Sequence, residues 1–345
     1  MIERRLRIEP HPGVMARKEP TNLMQKTAIA LFPDAESEQI EFLDSLLSPP
    51  PKGNAVIWTS GERTDELKLQ PREGLPSWLP GEIDLLEPEE KAGKSRAYRD
   101  GLLYSLDYSS VLTGSALLAL SDQIDSSPTV LDACAAPGGK SILCSTLLKP
   151  GLLLSNEVEG KRLGMLRHNL TRCRIPNAYT QRMPVHELAE QARHAFDLCL
   201  VDAPCSGQSL LAKGQDVQGC FHPSIVKGNA RRQRKILSSC SETVRSGGFL
   251  FYSTCTFSQR ENEGAIEKFV ADHPDFTPLK VPHLAEYRST LSEFPSYRIY
   301  PHRSNGAGGF VCLLQRSSRE SEIGSIPDAL LAYPVAPPSS IDSPE

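Results

Sequence analysis

Short, wholly apolar runs recur along the second two thirds of the chain, and amphipathic stretches fill the gaps between them. Thr129 to Asp132, Leu152 to Ser155, Asp197 to Val201 and Phe249 to Ser253 have the length and the apolar centres of strands buried on both faces. Lys140 to Leu148, Gly160 to Cys173 and Val226 to Arg245 read as helices. This alternation predicts an α/β fold, a doubly wound and mostly parallel sheet with helices on both faces. Residues 1–96 differ: they are rich in Pro, Gly and acidic residues, with one helical stretch at Ser37 to Leu47 and a short strand at Ala55 to Thr59. Three segments follow: a small N-terminal region (1–96), an α/β domain (97–316), and a tail (317–345) whose Pro and Ser content predicts disorder. No repeat of solenoid period is visible.

Composition changes this picture little. Hydrophobic residues make up 39% of the 345 and charged residues 23%, an ordinary globular balance. No apolar run approaches the roughly 20 residues needed to span a bilayer. The opening MIERRLRIEPHPG has charge with no apolar stretch behind it, so neither a membrane segment nor a secretory signal is expected, and the expected location is cytoplasmic. The nine cysteines contain no Cys-x-x-Cys pair, which predicts free thiols, mostly small core residues, and no metal site.

Charge is more informative locally than in sum. A net charge of −4 runs against a nucleic-acid partner. Yet Lys161, Arg162, Arg167, Arg172 and Arg174 lie close together, as do Arg231, Arg232, Arg234 and Lys235. Such runs are ordinarily solvated helix faces. Folded onto one groove, they would form a phosphate track.

The strand PTVLD leads into ACAAPGGKS, so Asp132 ends a strand and a Gly-rich turn opens a helix. Ligands of open α/β sheets bind at that edge, against free backbone N–H groups. Gly138 and Gly139 allow close approach of the backbone. The spacing is neither that of a dinucleotide fingerprint nor that of a P-loop, and an adenosyl cofactor derived from methionine fits better. The next strand ends near Glu157, where a carboxylate can accept from both ribose hydroxyls, although an acidic residue there can also simply cap a helix.

Two further strands end in cysteines: FDLCLVDAPCSG carries Asp202 and Cys205, and GGFLFYSTCTF carries Cys255. Carbon 5 of a pyrimidine is a poor nucleophile. A thiolate adding to carbon 6 makes the ring an enamine that can take a methyl group, and a second group must then help remove the C5 proton. A lone cysteine at a strand end is ordinarily core. Here Pro204 stiffens one exit turn, Ser206-Gly207 continue it as loop, and Thr254 and Thr256 make the other polar. Asp202 is placed to hold the N3 and N4 edge of cytosine.

These motifs resemble those of the Sun-type (RsmB/RsmF-like) RNA 5-methylcytosine methyltransferases, over roughly residues 100 to 316. DACAAPGGKS is similar to the family's cofactor motif, DAPCSG to its first cysteine motif, and GGFLFYSTCTFSQRENE to its second. GLLYSLDYSS, Arg162 with Asn169, Arg232-Gln233 and YRIYPHRSNGAGGFVCLLQR extend the likeness. The resemblance implies a class I, Rossmann-like fold dependent on S-adenosylmethionine. It implies that Cys255 forms the covalent link to carbon 6 and Cys205 promotes release, with Asp202 and Lys140 near the target base. Cys134, Ala135, Ala136, Pro137, Gly138, Gly139, Lys140, Glu157, Arg162 and Asp202 would form the cofactor site. RNA would be the partner, ribosomal RNA ahead of transfer RNA, with a monomer a workable state and the N-terminal region a candidate for RNA contact. One position departs from the family: Arg182, Met183 and Pro184 stand where an Asp ordinarily meets the adenine, leaving Glu187 or backbone groups to substitute. Two other readings are a DNA cytosine methyltransferase, which would leave Cys255 idle, and an RNA-binding assembly factor without activity, which has no use for two rim thiols.

Overall fold

The computed structural model describes residues 19–50, 52–318 and 324–335. Two helices come first, α1 (Asn22–Leu31) and α2 (Glu36–Leu47), of which the sequence pattern anticipates only the second. Thr21 caps α1 by accepting a hydrogen bond from Met24 N. Their apolar faces pack through Phe32, Phe42 and Leu46 onto Phe257 and Tyr300 of the C-terminal half. A three-stranded antiparallel sheet follows, in the order β2 (Ile83–Leu85), β1 (Ala55–Trp58), β3 (Leu103–Leu106). Buried Asp84 ties it together, accepting from Trp58 Nε1, Arg63 and Arg72, each at 2.8 Å.

Because β3 pairs with β1, the N-terminal unit runs to Leu106 and includes the short helix α3 (Arg96–Arg99), past the boundary expected at residue 96. Strand pairing over such a separation leaves no local trace in composition. Asp107 then caps α4 (Tyr108–Gly114), accepting from Ser109 N.

The main sheet is built from β4 (Thr129–Asp132), β5 (Leu152–Asn156), β6 (Ala178–Gln181), β7 (Phe196–Asp202), β8 (Val244–Thr254), β9 (Phe276–Pro278), β10 (Tyr297–Ile299) and β11 (Gly309–Arg316). Its order is β10-β11-β8-β7-β4-β5-β6, with β9 on β11. The five strands from β8 to β6 are mutually parallel, and β11 closes antiparallel to β8. Helices α5 (Gly139–Leu148), α6 (Gly160–Arg172), α7 (Val185–Gln191), α8 (Pro223–Thr243) and α9 (Glu263–Asp272) cover it. The period of two decides which face each side chain takes. Val130, Leu153, Leu198 and Phe251 join one core, while Leu131, Leu154, Cys199 and Tyr252 join the other. This is the doubly wound, Rossmann-like architecture that the alternation predicts. The order of connection reverses between the adjacent parallel strands β4 and β7, which opens a crevice at their carboxyl ends.

Residues 324–335 correct the expectation of a disordered tail. Val335 N donates to Ala178 O at 2.8 Å, Thr180 N donates to Tyr333 O at 2.9 Å, and Leu330 is fully buried. The segment covers the open edge of β6, a backbone interaction that polar, Pro-rich composition does not disclose. The rest of the expected tail from 319 lies outside the described residues. Among the described residues, no helix is long and apolar enough to cross a membrane.

Candidate active site

The loop from Ala133 to Gly138 hangs from β4 by backbone bonds: Ala133 N to Leu200 O and Ala135 N to Asn156 O, both 2.9 Å. Gly138 turns this loop into α5 with φ of +114°, a conformation closed to most side chains, and a Cβ there would stand 3.3 Å from Leu166 Cδ1. Of the expected cofactor residues, Gly138 alone is off the cleft wall; Cys134, Ala135, Ala136, Pro137, Gly139, Lys140, Glu157, Arg162 and Asp202 are all on it. Gly138 therefore supplies the turn and its neighbours supply the surface. Beneath them Asp132 is fully buried, accepting from Ser141 Oγ at 2.7 Å, and burial raises its carboxyl to about 7.

Glu157 ends β5 on the opposite wall. Its Oε1 accepts from Glu159 N at 3.0 Å, and its Oε2 lies 3.3 Å from Arg162 Nη1. Arg162 also donates to Ala136 O at 2.5 Å, and Asn169 donates to Pro137 O at 2.8 Å. Helix α6 thus braces the Gly-rich loop against the Glu157 wall. At the departing position, Met183 N donates to Asn156 Oδ1 at 3.1 Å, so that amide is already engaged. Glu187 is not on the cleft wall, contrary to its expected role as a substitute, whereas Pro184, Val185 and His186 are. Glu187, the third residue of α7, is half exposed, and its Oε1 lies 4.0 Å from Nε2 of His186.

The two cysteine motifs meet. Cys205 Sγ and Cys255 Sγ lie 3.3 Å apart, Cys255 exposed and Cys205 partly buried. Sharing a proton splits the pair. The hydrogen bond from Cys205 holds the Cys255 thiol below its ordinary value, against desolvation by the cleft walls and the charge of Asp202, with Lys213 and Lys140 helping to lower it. The same hydrogen bond, then burial, pushes Cys205 up. The direction of both shifts favours the thiolate at Cys255 and the thiol at Cys205. Lys140, almost wholly buried, places Nζ 3.8 Å from Asp202 Oδ2, and Asp202 Oδ1 accepts from Ser253 Oγ at 2.5 Å. The other cysteines are free thiols, and burial pushes those at 134, 144, 173, 220, 240 and 312 upward, as core thiols behave.

Cys205, Cys255, Asp202, Lys140, Glu157 and Arg162 open onto one cleft of about 1600 Å³. Sequence reasoning missed two of its contributors. Tyr104, Ser105 and Leu106 bring the N-terminal sheet to the wall, and Lys213 faces it from the turn after Cys205, 3.9 Å from Asp107. GLLYSLDYSS carries the first group, but only as a resemblance, because nothing local marks β3 as bordering a site. Of the two basic clusters, Arg231, Arg232, Arg234 and Lys235 line the cleft, whereas from the other only Arg162 does.

Comparison with known proteins places this architecture. The structure of NSun6 from Pyrococcus horikoshii with SFG superposes with a TM-score of 0.71 at 17% identity, covering 87% of this chain and 99% of that one. A methyltransferase homolog protein from the same organism gives 0.67 at 22% identity, over 86% and 95%. These establish the fold. In sequence, ribosomal RNA small subunit methyltransferase F of Erwinia tasmaniensis is 31% identical over 65% of this chain and 47% of its own. The probable ribosomal RNA small subunit methyltransferase B of Bacillus subtilis is 30% identical over 78% of this chain and 61% of its own. The chain spans about half the length of the first of these relatives. The family model described as 16S rRNA methyltransferase RsmB/F matches residues 118–315, more than half of the sequence, and the chain belongs to that family.

Proposed function

We propose that this chain methylates carbon 5 of cytosine in RNA, with ribosomal RNA the leading substrate and S-adenosylmethionine the cofactor. The observation that carries this reading is the 3.3 Å contact between Cys205 and Cys255 on the wall that also holds the Gly-rich loop. The residues at 134–140, Glu157 and Arg162 would hold the cofactor, whose chemistry is an electrophilic methyl group. Glu157 lines the cleft with Arg162 as its ionic partner, and the backbone of the loop would meet the remaining polar groups. Val185 and His186 replace the acidic residue that the family places near the adenine.

Cys255, the thiolate partner, adds to carbon 6, and Asp202 holds the N3 and N4 edge with Lys140 beside it. After methyl transfer the C5 proton must leave and the carbon–sulfur bond must break. Cys205 is the group in reach of Cys255 to promote that step. The cations of α8 lie along the same cleft, where they can neutralise phosphates beside a base that has left its stack.

Two measurements test this. Cys205→Ala is expected to accumulate a covalent protein–RNA adduct on denaturing gels, and Cys255→Ala to form none; the opposite pattern would exchange their roles. Bisulfite sequencing of RNA from cells lacking the gene, with Cys255→Ala supplied back, identifies the cytosine. A site in ribosomal RNA that stays unmethylated supports the proposal, and one in transfer RNA moves the substrate. If no cytosine changes while the purified protein still binds RNA, the chain is a binding factor.

The pH dependence follows from the shared proton. Lowered by Cys205, the Cys255 thiol reacts with iodoacetamide at a lower pH than an ordinary cysteine. Cys205→Ala removes the hydrogen bond that favours the thiolate, so the alkylation profile of Cys255 moves to higher pH. An unmoved profile would mean that Cys205 does not tune it.

A further inference from the structure

The motif SQRENE, which follows the second cysteine, has no part in the chemistry above, yet two of its side chains, Glu261 and Asn262, reach the residues that flank both thiols. Glu261 is fully buried and has three donors on its carboxylate: Ser206 N at 2.9 Å, Ser206 Oγ at 2.6 Å and Gln233 Nε2 at 3.0 Å. Gln233 Nε2 also donates to Pro204 O at 3.0 Å, so the residues on either side of Cys205 hang from one carboxylate–amide pair. Asn262, also fully buried, does the same for Cys255: Thr254 Oγ1 donates to its Oδ1 at 2.6 Å, and its Nδ2 donates to Thr256 O at 2.9 Å. The two halves are joined. Ser206 Oγ and Thr256 Oγ1 lie 2.7 Å apart, and they are the residues immediately after Cys205 and Cys255.

Proton counting fixes the direction of that link. A hydroxyl has one hydrogen to give, and that of Ser206 goes to the Glu261 carboxylate. Thr256 must therefore donate to Ser206. The chain Thr256 to Ser206 to Glu261 runs one way through a buried interior, where a satisfied network is rigid and a broken one is costly. Tyr252 adds to it by donating to Glu261 O at 2.6 Å.

We propose that Glu261, Ser206, Thr256 and Asn262 form a hydrogen-bonded clamp whose task is to hold the two catalytic sulfurs in contact, making these four positioning residues for the reaction. The proposal rests on the two-cysteine reading for its catalytic consequence, but not for its geometry. The negative charge of Glu261 also acts on Cys205, favouring its protonated form. The clamp thereby sets the distance between the thiols and, through it, the hydrogen bond by which Cys205 lowers Cys255.

The test cuts the link between the halves with an isosteric change. Thr256→Val removes the hydroxyl and keeps the volume; Thr256→Ser restores the hydroxyl and drops a methyl. Thr256→Val is expected to lower kcat by between about tenfold and a hundredfold with KM little changed, the range for a small displacement of reacting groups. The adduct should persist longer, and the alkylation profile of Cys255 should move to higher pH. Thr256→Ser should return all three toward the parent, and Ser206→Ala should reproduce the valine variant. An unmoved alkylation profile in both Thr256→Val and Ser206→Ala overturns the proposal, as does activity that falls only in step with the melting temperature. The alkylation arm uses the protein without RNA. It therefore judges the clamp even if Cys205→Ala traps no adduct, the result that would break the functional reading instead.

Discussion

Helices α6 and α8 carry basic clusters that look alike in sequence and serve different ends in the structure. On α6 and the turn after it, Arg172 donates to Tyr98 O at 2.5 Å and Leu103 O at 3.0 Å, with its guanidinium 3.9 Å from the Tyr98 ring. Arg167 donates to Thr180 Oγ1 at 2.9 Å and lies over Tyr333, and Arg162 braces Glu157 and Ala136. On α8, Arg231, Arg232, Arg234 and Lys235 are exposed on the cleft and form no ion pair among the described residues. The buried side of α8 explains why they point there. Gln233 is pinned to Pro204 and Glu261, which turns its neighbours outward beside Cys205. A cation held against backbone carbonyls and an aromatic ring is not presented to a phosphate, so charge density alone does not identify a nucleic-acid surface. What matters is whether the charges are free and stand on the cleft.

The sharpest way to break the comparison is to reverse the free charges. Arg231→Glu, Arg234→Glu and Lys235→Glu together are expected to weaken RNA binding by about a hundredfold near physiological salt. The slope of log K against log salt should flatten by about 2, at roughly 0.7 per lost single-strand contact. Binding of S-adenosylmethionine, measured by calorimetry, should stay unchanged. Normal RNA affinity in this variant would remove α8 from the interface and leave the net charge of −4 unanswered.

Arg172 tests the other side. Arg172→Ala removes two carbonyl contacts and an aromatic stack joining α6 to the N-terminal sheet, and should cost about 2 kcal/mol in denaturant unfolding. RNA affinity of the folded fraction should hold. A large loss of RNA binding at unchanged stability would mean that this cluster, too, meets phosphate. Arg162→Ala should act in between. It frees both the Glu157 wall and the Gly-rich loop, and a loss of one charge-assisted hydrogen bond corresponds to about tenfold weaker cofactor binding.

The contrast also shows what the sequence could disclose. Periodicity reports burial, and burial was enough to read β4 to its terminal residues and to find α5, α6 and α8 within a few positions. The motifs carried Cys205, Cys255, Asp202 and Lys140 to one cleft because strands of a parallel sheet end on one rim. What local pattern does not report is the partner across a long separation. The pairing of β3 with β1, the docking of 324–335 on β6, and the carbonyls that engage Arg172 all depend on distant segments. Lys213 escaped for the same reason: it lies in a short helical turn with no pattern of its own, and only the fold places it beside Cys255.

The smallest expected effect is the most economical check that the α6 cluster is inert toward RNA where it is free. Arg174 lies just past the end of α6, exposed, with φ of +50° in the left-handed region. Arg174→Gly removes one positive charge and relieves the left-handed conformation, while the added chain entropy of glycine offsets that relief. Stability should therefore change by less than about 0.5 kcal/mol, and neither RNA nor cofactor binding should move. The charge is solvated and stands off the cleft wall, so its loss tests position rather than charge number. If this single substitution weakened RNA binding as much as one of the α8 arginines, the RNA path would run over both helices, and location on the cleft would not be what separates the clusters.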